Sequence, residues 1–404
     1  MKQTPRFVEP ILDSTRSSLN PEYLDRSVEQ YAAGNYKEAF HLLLDYLNDT
    51  IRPRFGNADG TEFRIPHGSI LVCIRIDDGT LSIRADFLTR PARQRTAMLR
   101  QVADLTLNRL MLSRFRKEGD KLRMEYECPL SQSHPHKLFF ILRNICHVGD
   151  RYDDEFCTKF GAERCYEPRV TPYPEAETAR IVEAMRAVCT ETLDAVKDYE
   201  AARRYGYAWN VLDTAFYRIA YFAQPQGQLR NELEQAVDDM DRELPVTDLV
   251  AKGRAFLEKL RDTPGEALAA DLYFTDTLVS TRRRSSLANV QENMRDVWRE
   301  ADEAMQNRDF ERSAVRILYK FYEMYFYNDV QDDLNDLVRT ALRSSAGLPA
   351  EEASEILFEA IDRIMEGDLG DDGAAGGTNR IGSLLHAGIE RLKERLQRLL
   401  CKEE

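Results

Sequence analysis

The sequence predicts an α+β N-terminal domain, an antiparallel sheet covered by helices, followed by an all-α helical region. Three observations predict it. Apolar and polar residues alternate on both sides of Asp78-Gly79 and again after Gly119-Asp120, which is the period and turn chemistry of β-hairpins. Elsewhere apolar residues recur at steps of three and four, the spacing of amphipathic helices. Pro168, Pro172 and Pro174 fall close together and mark a boundary between domains. The division that follows is 1–168 for the α+β domain, 169–366 for the helical domain, 367–382 for a flexible linker and 383–404 for a C-terminal amphipathic helix.

A chain of 404 residues is long enough for two or three domains with a sizeable core. Hydrophobic residues make up 43% and charged residues 31%, an ordinary balance for a soluble chain. The formal net charge of −13 argues against a global role on nucleic acid or anionic membrane, while leaving room for a local basic patch. No run approaches the roughly 18 apolar residues of a spanning helix. Residues 1–20 carry scattered charges and no apolar signal core. The seven cysteines, Cys73, Cys128, Cys146, Cys157, Cys165, Cys189 and Cys401, include no Cys-x-x-Cys pair. They predict reduced thiols packed as small hydrophobes in a cytoplasmic protein.

In chain order, residues 23–47 carry Leu24, Val28, Tyr31, Ala39, Leu42, Leu43 and Leu47 at helical spacing, interrupted at Gly34-Asn35. This is a helical hairpin of tetratricopeptide-like type, although one such pair does not make a repeat fold. Residues 61–65 form a short edge strand after a stretch broken by Pro53, Gly56 and Gly60. Ile70, Val72, Ile74 and Ile76, then Leu81, Ile83, Ala85 and Phe87, line one face of a hairpin, so this sheet is covered mainly on one side. Pro91 opens a helix whose stripe of Met98, Leu99, Val102, Leu105, Leu110 and Met111 packs on that face. A second hairpin spans 113–118 and 121–128. A helix follows over 138–160 and ends near Gly161.

Beyond Pro174 the pattern is helical throughout. Residues 207–222 are apolar on most faces, which predicts a buried helix. A helical pair spans 287–327, and its centre at 305–318 loosely echoes 31–44, with Asp309 where Asn35 stands. Residues 351–365 give one more helix. Residues 367–382 are rich in Gly, Ala and Asp, the composition of a tether. Past them Leu385, Ile389, Leu392, Leu396 and Leu399 form a two-heptad seam, suited to docking back, dimerising or binding a partner.

Residues 23–161 therefore read as helix, three strands, helix, two strands, helix. This order resembles the type III secretion chaperone-like fold and, within it, the YbjN-type family of bacterial sensory-transduction regulators. The resemblance is carried by Asp59-Gly60 leading into the first strands and by the two hairpins around Asp78-Gly79 and Gly119-Asp120. The helices over 93–112 and 138–160 complete it. It implies action by binding, chaperone-like or regulatory, with no catalytic residues to carry over. The helical region after Pro168 is not part of that fold.

Candidate chemistry is sparse. His134-Pro135-His136, with Cys128 or His147, offers metal-ligand types but only spacing in favour, and surface histidines explain it better. His147 beside Cys146 falls on a packed helix rather than forming a nucleophile and base. Asp150, Asp153, Asp154 and Glu155 lack the loop geometry of a cation site and read as a solvated helix face. The Gly-rich stretch 367–377 lacks the Lys-Ser/Thr of a phosphate loop. Arg282, Arg283 and Arg284 precede Ser285 and Ser286, either of which can cap the next helix. Ten basic residues lie between Arg90 and Arg123. Four of them, Arg93, Arg95, Arg100 and Arg109, fall on or beside the predicted helix and form the candidate electrostatic site.

Candidate partner-binding residues are thus those four arginines and, in the tail, Leu385, Leu392, Leu396 and Leu399. No catalytic residue, metal or cofactor is predicted. The expected partner is a protein or a second copy of the chain, a homodimer included, and not nucleic acid or membrane. Two functions fit: a non-enzymatic binding adaptor, and an enzyme whose inter-domain site is assembled from dispersed residues.

Overall fold

The computed structural model describes residues 3–11, 22–90, 94–280 and 282–369. The helical hairpin is α1 (Glu22–Ala32) and α2 (Tyr36–Leu47), broken where Gly34 takes φ +82°, a conformation a glycine adopts at little cost. A short α3 (Ile51–Phe55) follows, in the stretch that Pro53 was expected to break. Proline is tolerated there because the first turn of a helix needs no donor from its amide. The sheet is built from β1 (Glu62–His67), β2 (Ile70–Asp77) and β3 (Thr80–Thr89), then, after α4 (Arg95–Asn108), β4 (Arg114–Glu118) and β5 (Lys121–Pro129). Strand order is β1-β2-β3-β5-β4 and the neighbours are antiparallel. The long α5 (Pro135–Phe160) then leads to β6 (Glu163–Arg164), which pairs with the end of β3.

Period two decides which side of the sheet is buried. Ile70, Val72, Ile74, Leu81, Ile83, Ala85, Phe87 and Met124 are all fully or almost fully buried. They share a core with Phe40, Leu43 and Leu44 of α2 and with Leu138, Ile141, Leu142 and Ile145 of α5. The other face carries cross-strand ion pairs, among them Arg75–Glu62 at 2.8 Å and Arg114–Glu125 at 3.1 Å. Gly149 lets α5 approach β2. A Cβ there would stand 2.6 Å from Ile70 Cδ1 and 2.9 Å from its Cγ2. Gly149→Ala is therefore expected to lower stability by about 1–2 kcal/mol, overpacking outweighing the gain in helix propensity. A urea midpoint at or above wild type would show that α5 has room to move away.

The stripe on α4 divides differently from the expectation. Met98, Val102, Leu105 and Leu110 are buried, but Leu99 is 38% and Met111 63% exposed. Steps of four and three keep the first three on one face, while Leu99 lies about 100° round from Met98. Met111 falls after the helix has ended. The acidic run on α5 is only in part a solvated face. Asp153 is buried and, with Asp154, receives the guanidinium of Arg164, which β6 folds back over α5. Asp150 accepts the Ser69 N–H at 3.3 Å and pairs with Arg230 of the helical part at 3.4 Å. The side chains of Asp154 and Glu155 keep about 45% and 44% of their surface exposed.

The helical part comprises α6 (Glu175–Ala201), α7 (Tyr205–Ala223), α8 (Gly227–Met240), α9 (Val246–Asp262), α10 (Gly265–Ala269), α11 (Leu287–Gln306), α12 (Phe310–Tyr327), α13 (Asp332–Ser345) and α14 (Ala350–Glu366). Helix α7 is buried on most faces and packs against α6, α8, α9 and α12. Asn35 and Asp309 both stand at helix N-cap positions, and Asp309 accepts the Arg312 N–H at 3.3 Å. Two small pairings interrupt the all-helical pattern expected here. They join β7 (Val170–Pro172) to β8 (Tyr273–Thr275) and β9 (Arg283–Arg284) to β10 (Asn328–Asp329). Strands this short show no periodicity in the sequence.

The described residues hold two apolar cores, and each borrows chain from the other part. Residues 3–11 lie on the helices: Thr4 N–H donates to Leu348 O at 2.9 Å, and Ile11 N–H to Phe222 O at 3.0 Å. Ile11 belongs to the helical core. In return Leu278 and Val279 are buried in the α+β core.

Candidate functional site

Helix α4 and the turn after it expose several large apolar side chains, Leu99, Leu107, Met111 and Leu112. The turn begins where Arg109 and Leu110 both donate their N–H to Leu105 O. Leu112 follows at φ +62°, a left-handed conformation that costs a bulky residue roughly 1–2 kcal/mol. It is nonetheless 69% exposed, beside Leu107 at 82% and Met111 at 63%. Three large apolar side chains, one of them in a disfavoured backbone state, thus stand open to solvent within a short stretch of chain.

Of the predicted arginines, Arg95, Arg100 and Arg109 stand exposed on or at the end of α4. Arg93 and the tail residues Leu385, Leu392, Leu396 and Leu399 lie outside the described residues. Most basic residues of the neighbouring strands are engaged: Arg90 with Asp120, Arg114 and Arg116 with Glu125, and Lys121 and Arg123 with Asp86, while Lys117 on β4 is exposed. Among the described residues Arg100 and Arg109 form no ion pair. They therefore carry free positive charge on the α4 segment.

The basic run before α11 has another role than a phosphate grip. Arg284 crosses to α2, stacks over the Tyr46 ring at 4.3 Å and donates to Leu47 O at 2.9 Å. Ser286 caps α11, accepting the Asn289 N–H at 3.4 Å. His134 and His136 stack on each other with centroids 5.5 Å apart, and His134 meets Tyr31 edge-on at 4.9 Å. Among the described residues no three His, Cys, Asp or Glu side chains converge as a metal-binding group. Cys146 is buried, and burial pushes its thiol well above the ordinary range. Such a thiol is a packing group and not a thiolate nucleophile. No helix among the described residues is long and apolar enough to cross a membrane.

Two buried polar groups escaped the sequence reading. The first is His67, 3% exposed at the end of β1, whose Nδ1 accepts the Leu278 N–H at 3.1 Å. Burial lowers its pKa to about 4, opposed by Asp150 and assisted by Arg230 and His147. With Gly68 N–H on Asp276 O at 3.2 Å and Arg54 on Asp276 at 2.8 Å, it fastens the helical part to the sheet. The second is Asp213 on α7, fully buried. Burial pushes its carboxyl up to about 8, Asp241 and Glu323 push the same way, and the Tyr217 and Tyr319 hydroxyls oppose them. Neither carboxyl oxygen has a hydrogen-bond partner of ordinary geometry among the described residues.

Two clefts open on the helical part. One, of about 330 Å³, lies between α8 and α9 over Met240 and Phe256, with Glu232 and Lys259 paired at 2.8 Å beside it. The other, of about 280 Å³, lies between α11, α12 and the β9–β10 pair. No protein-family model matches the chain, and no curated protein matches it.

Proposed function

We propose that the chain is a non-enzymatic protein-binding adaptor, chaperone-like or regulatory in role, that presents the α4 face to an acidic, apolar-bearing segment of a partner protein. The observation that carries this reading is that Leu107, Met111 and Leu112 are exposed at the end of α4, on the same stretch of chain as the exposed, unpaired Arg100 and Arg109. Exposed apolar anchors on a stretch that also carries free cations suit a segment that pairs leucine-type side chains with carboxylates. The chain as a whole is strongly acidic, so a local basic face is where an acidic partner meets least repulsion. The element order of residues 22–160, which we read as resembling the type III secretion chaperone-like fold and its YbjN-type members, favours binding over catalysis.

The test is comparative capture from native lysate with the full chain, the double variant Arg100→Glu/Arg109→Glu, and a chain ending at residue 382. A partner held by the full and shortened chains and lost by the double variant supports the α4 face. Loss only on shortening moves the recognition element to the tail. Concentration-dependent mass in sedimentation that the double variant abolishes identifies a second copy as the partner.

A further inference from the structure

The cleft between α11, α12 and the β9–β10 pair carries charges of both signs over an apolar floor. We propose that it binds a small zwitterion, an apolar α-amino acid whose ammonium meets Glu323 and whose carboxylate meets Lys320 and Arg283. This site is separate from the α4 face.

The wall of the cleft holds Lys320 and Glu323, an ion pair one turn apart with side chains 13% and 22% exposed. The Lys320 ammonium has three donors and spends one on Glu323. Arg283, also on the wall, is exposed and forms no ion pair among the described residues. Together the two cations offer a carboxylate the charge-assisted donors it needs. The floor is Val290, Met294 and Met324, all buried. Methionine side chains adapt to apolar groups of different shape. A volume of about 280 Å³ is at the small end for ligand pockets, which suits a single amino acid.

The charge behind the wall favours a cation at Glu323. Glu323 accepts the Tyr319 hydroxyl at 3.3 Å, and its field reaches both Asp213 and Asp241. Glu323 and Asp241 thus set two carboxylates against the single Lys320 ammonium. Tyr327, 41% exposed on the cleft wall, contacts the Tyr217 ring with centroids 6.1 Å apart, and Tyr217 contacts Tyr319 at 5.8 Å. Behind these rings sits the buried carboxyl of Asp213.

The experiment is calorimetric titration of the full chain with L-leucine, L-methionine and L-phenylalanine. Isoamylamine and isocaproate, which are leucine without its carboxylate and without its amine, serve as controls. At least one amino acid is expected to bind, with both leucine controls at least about tenfold weaker than the amino acid. Glu323→Gln and Lys320→Met, each with wild-type circular dichroism, are each expected to weaken binding about tenfold. Lys259→Ala, beside the other cleft, is expected to leave it unchanged. Binding by none of the three amino acids overturns the proposal. So does equal binding of the controls, or wild-type affinity in both charge variants.

Discussion

Asp213→Asn is expected to stabilise the helical part progressively more as pH rises from about 4 to about 8. The folded carboxyl titrates near 8, and the same group in the unfolded chain titrates near the ordinary value of about 3.9. Between those values the native state keeps a proton that the unfolded state has lost, so wild-type stability falls with rising pH. The fall is complete above the folded pKa and absent below the unfolded one. At pH 7 it amounts to about 2–4 kcal/mol. Asparagine is neutral throughout and removes the slope. Both tryptophans, Trp209 and Trp298, lie in the helical part, and Trp209 meets Tyr319 at 5.6 Å. Urea unfolding followed by tryptophan fluorescence therefore reports on this core. Parallel pH profiles for variant and wild type would show that Asp213 titrates like an exposed carboxylate.

The second large effect belongs to His67. His67→Ala is expected to cost about 2–4 kcal/mol, from the orphaned Leu278 N–H and the space left in a packed site. Because Leu278 and Val279 are packed in the α+β core, their segment should then become a site of rapid proteolysis. The pH signature runs opposite to that of Asp213. His67 titrates at about 4 when folded and near 6.5 when unfolded. Between those values the unfolded chain takes the proton first, so the stabilisation is full above about 6.5 and is lost as pH falls toward 4. His67→Asn keeps an acceptor close to the position of Nδ1 without titrating. It is expected to unfold at the wild-type midpoint at pH 7.5 and to resist acid better at pH 5. Equal acid sensitivity in His67→Asn would place the titrating group elsewhere.

The parts of the fold that were legible in the sequence are those set by local periodicity. Asp78 and Gly79 take φ +44° and +71°, the positive pair that a tight Asp-Gly hairpin turn demands. The register they impose puts every second residue of β2 and β3 inside. Helix α7 was readable as buried because apolar side chains occur all round it. Asp213 and Tyr217 were one turn apart on that same helix, and a carboxylate in an otherwise apolar run was the available signal. What it meant depended on Tyr319 and Glu323, about a hundred positions away. His67 and Leu278 are 211 residues apart, and no local pattern links them. The arginines between 90 and 123 look alike in sequence. Which ones are spare was settled by strand register, which sets Glu125 opposite Arg114 and Arg123 opposite Asp86. The acidic run on α5 failed for a similar reason, since Arg164 and Arg230 reach it from other elements.

The most direct test of the α4 face as the binding surface is photo-crosslinking from within it. A benzophenone amino acid placed at Leu107, exposed and outside both cores, should yield a discrete adduct of one partner in native lysate. Arg100→Glu/Arg109→Glu in the same chain should abolish that adduct. The same probe at Leu244, 41% exposed on the helical part, should give only background. An adduct at position 107 no stronger than at position 244, or one indifferent to the two charge reversals, would contradict the assignment of this face.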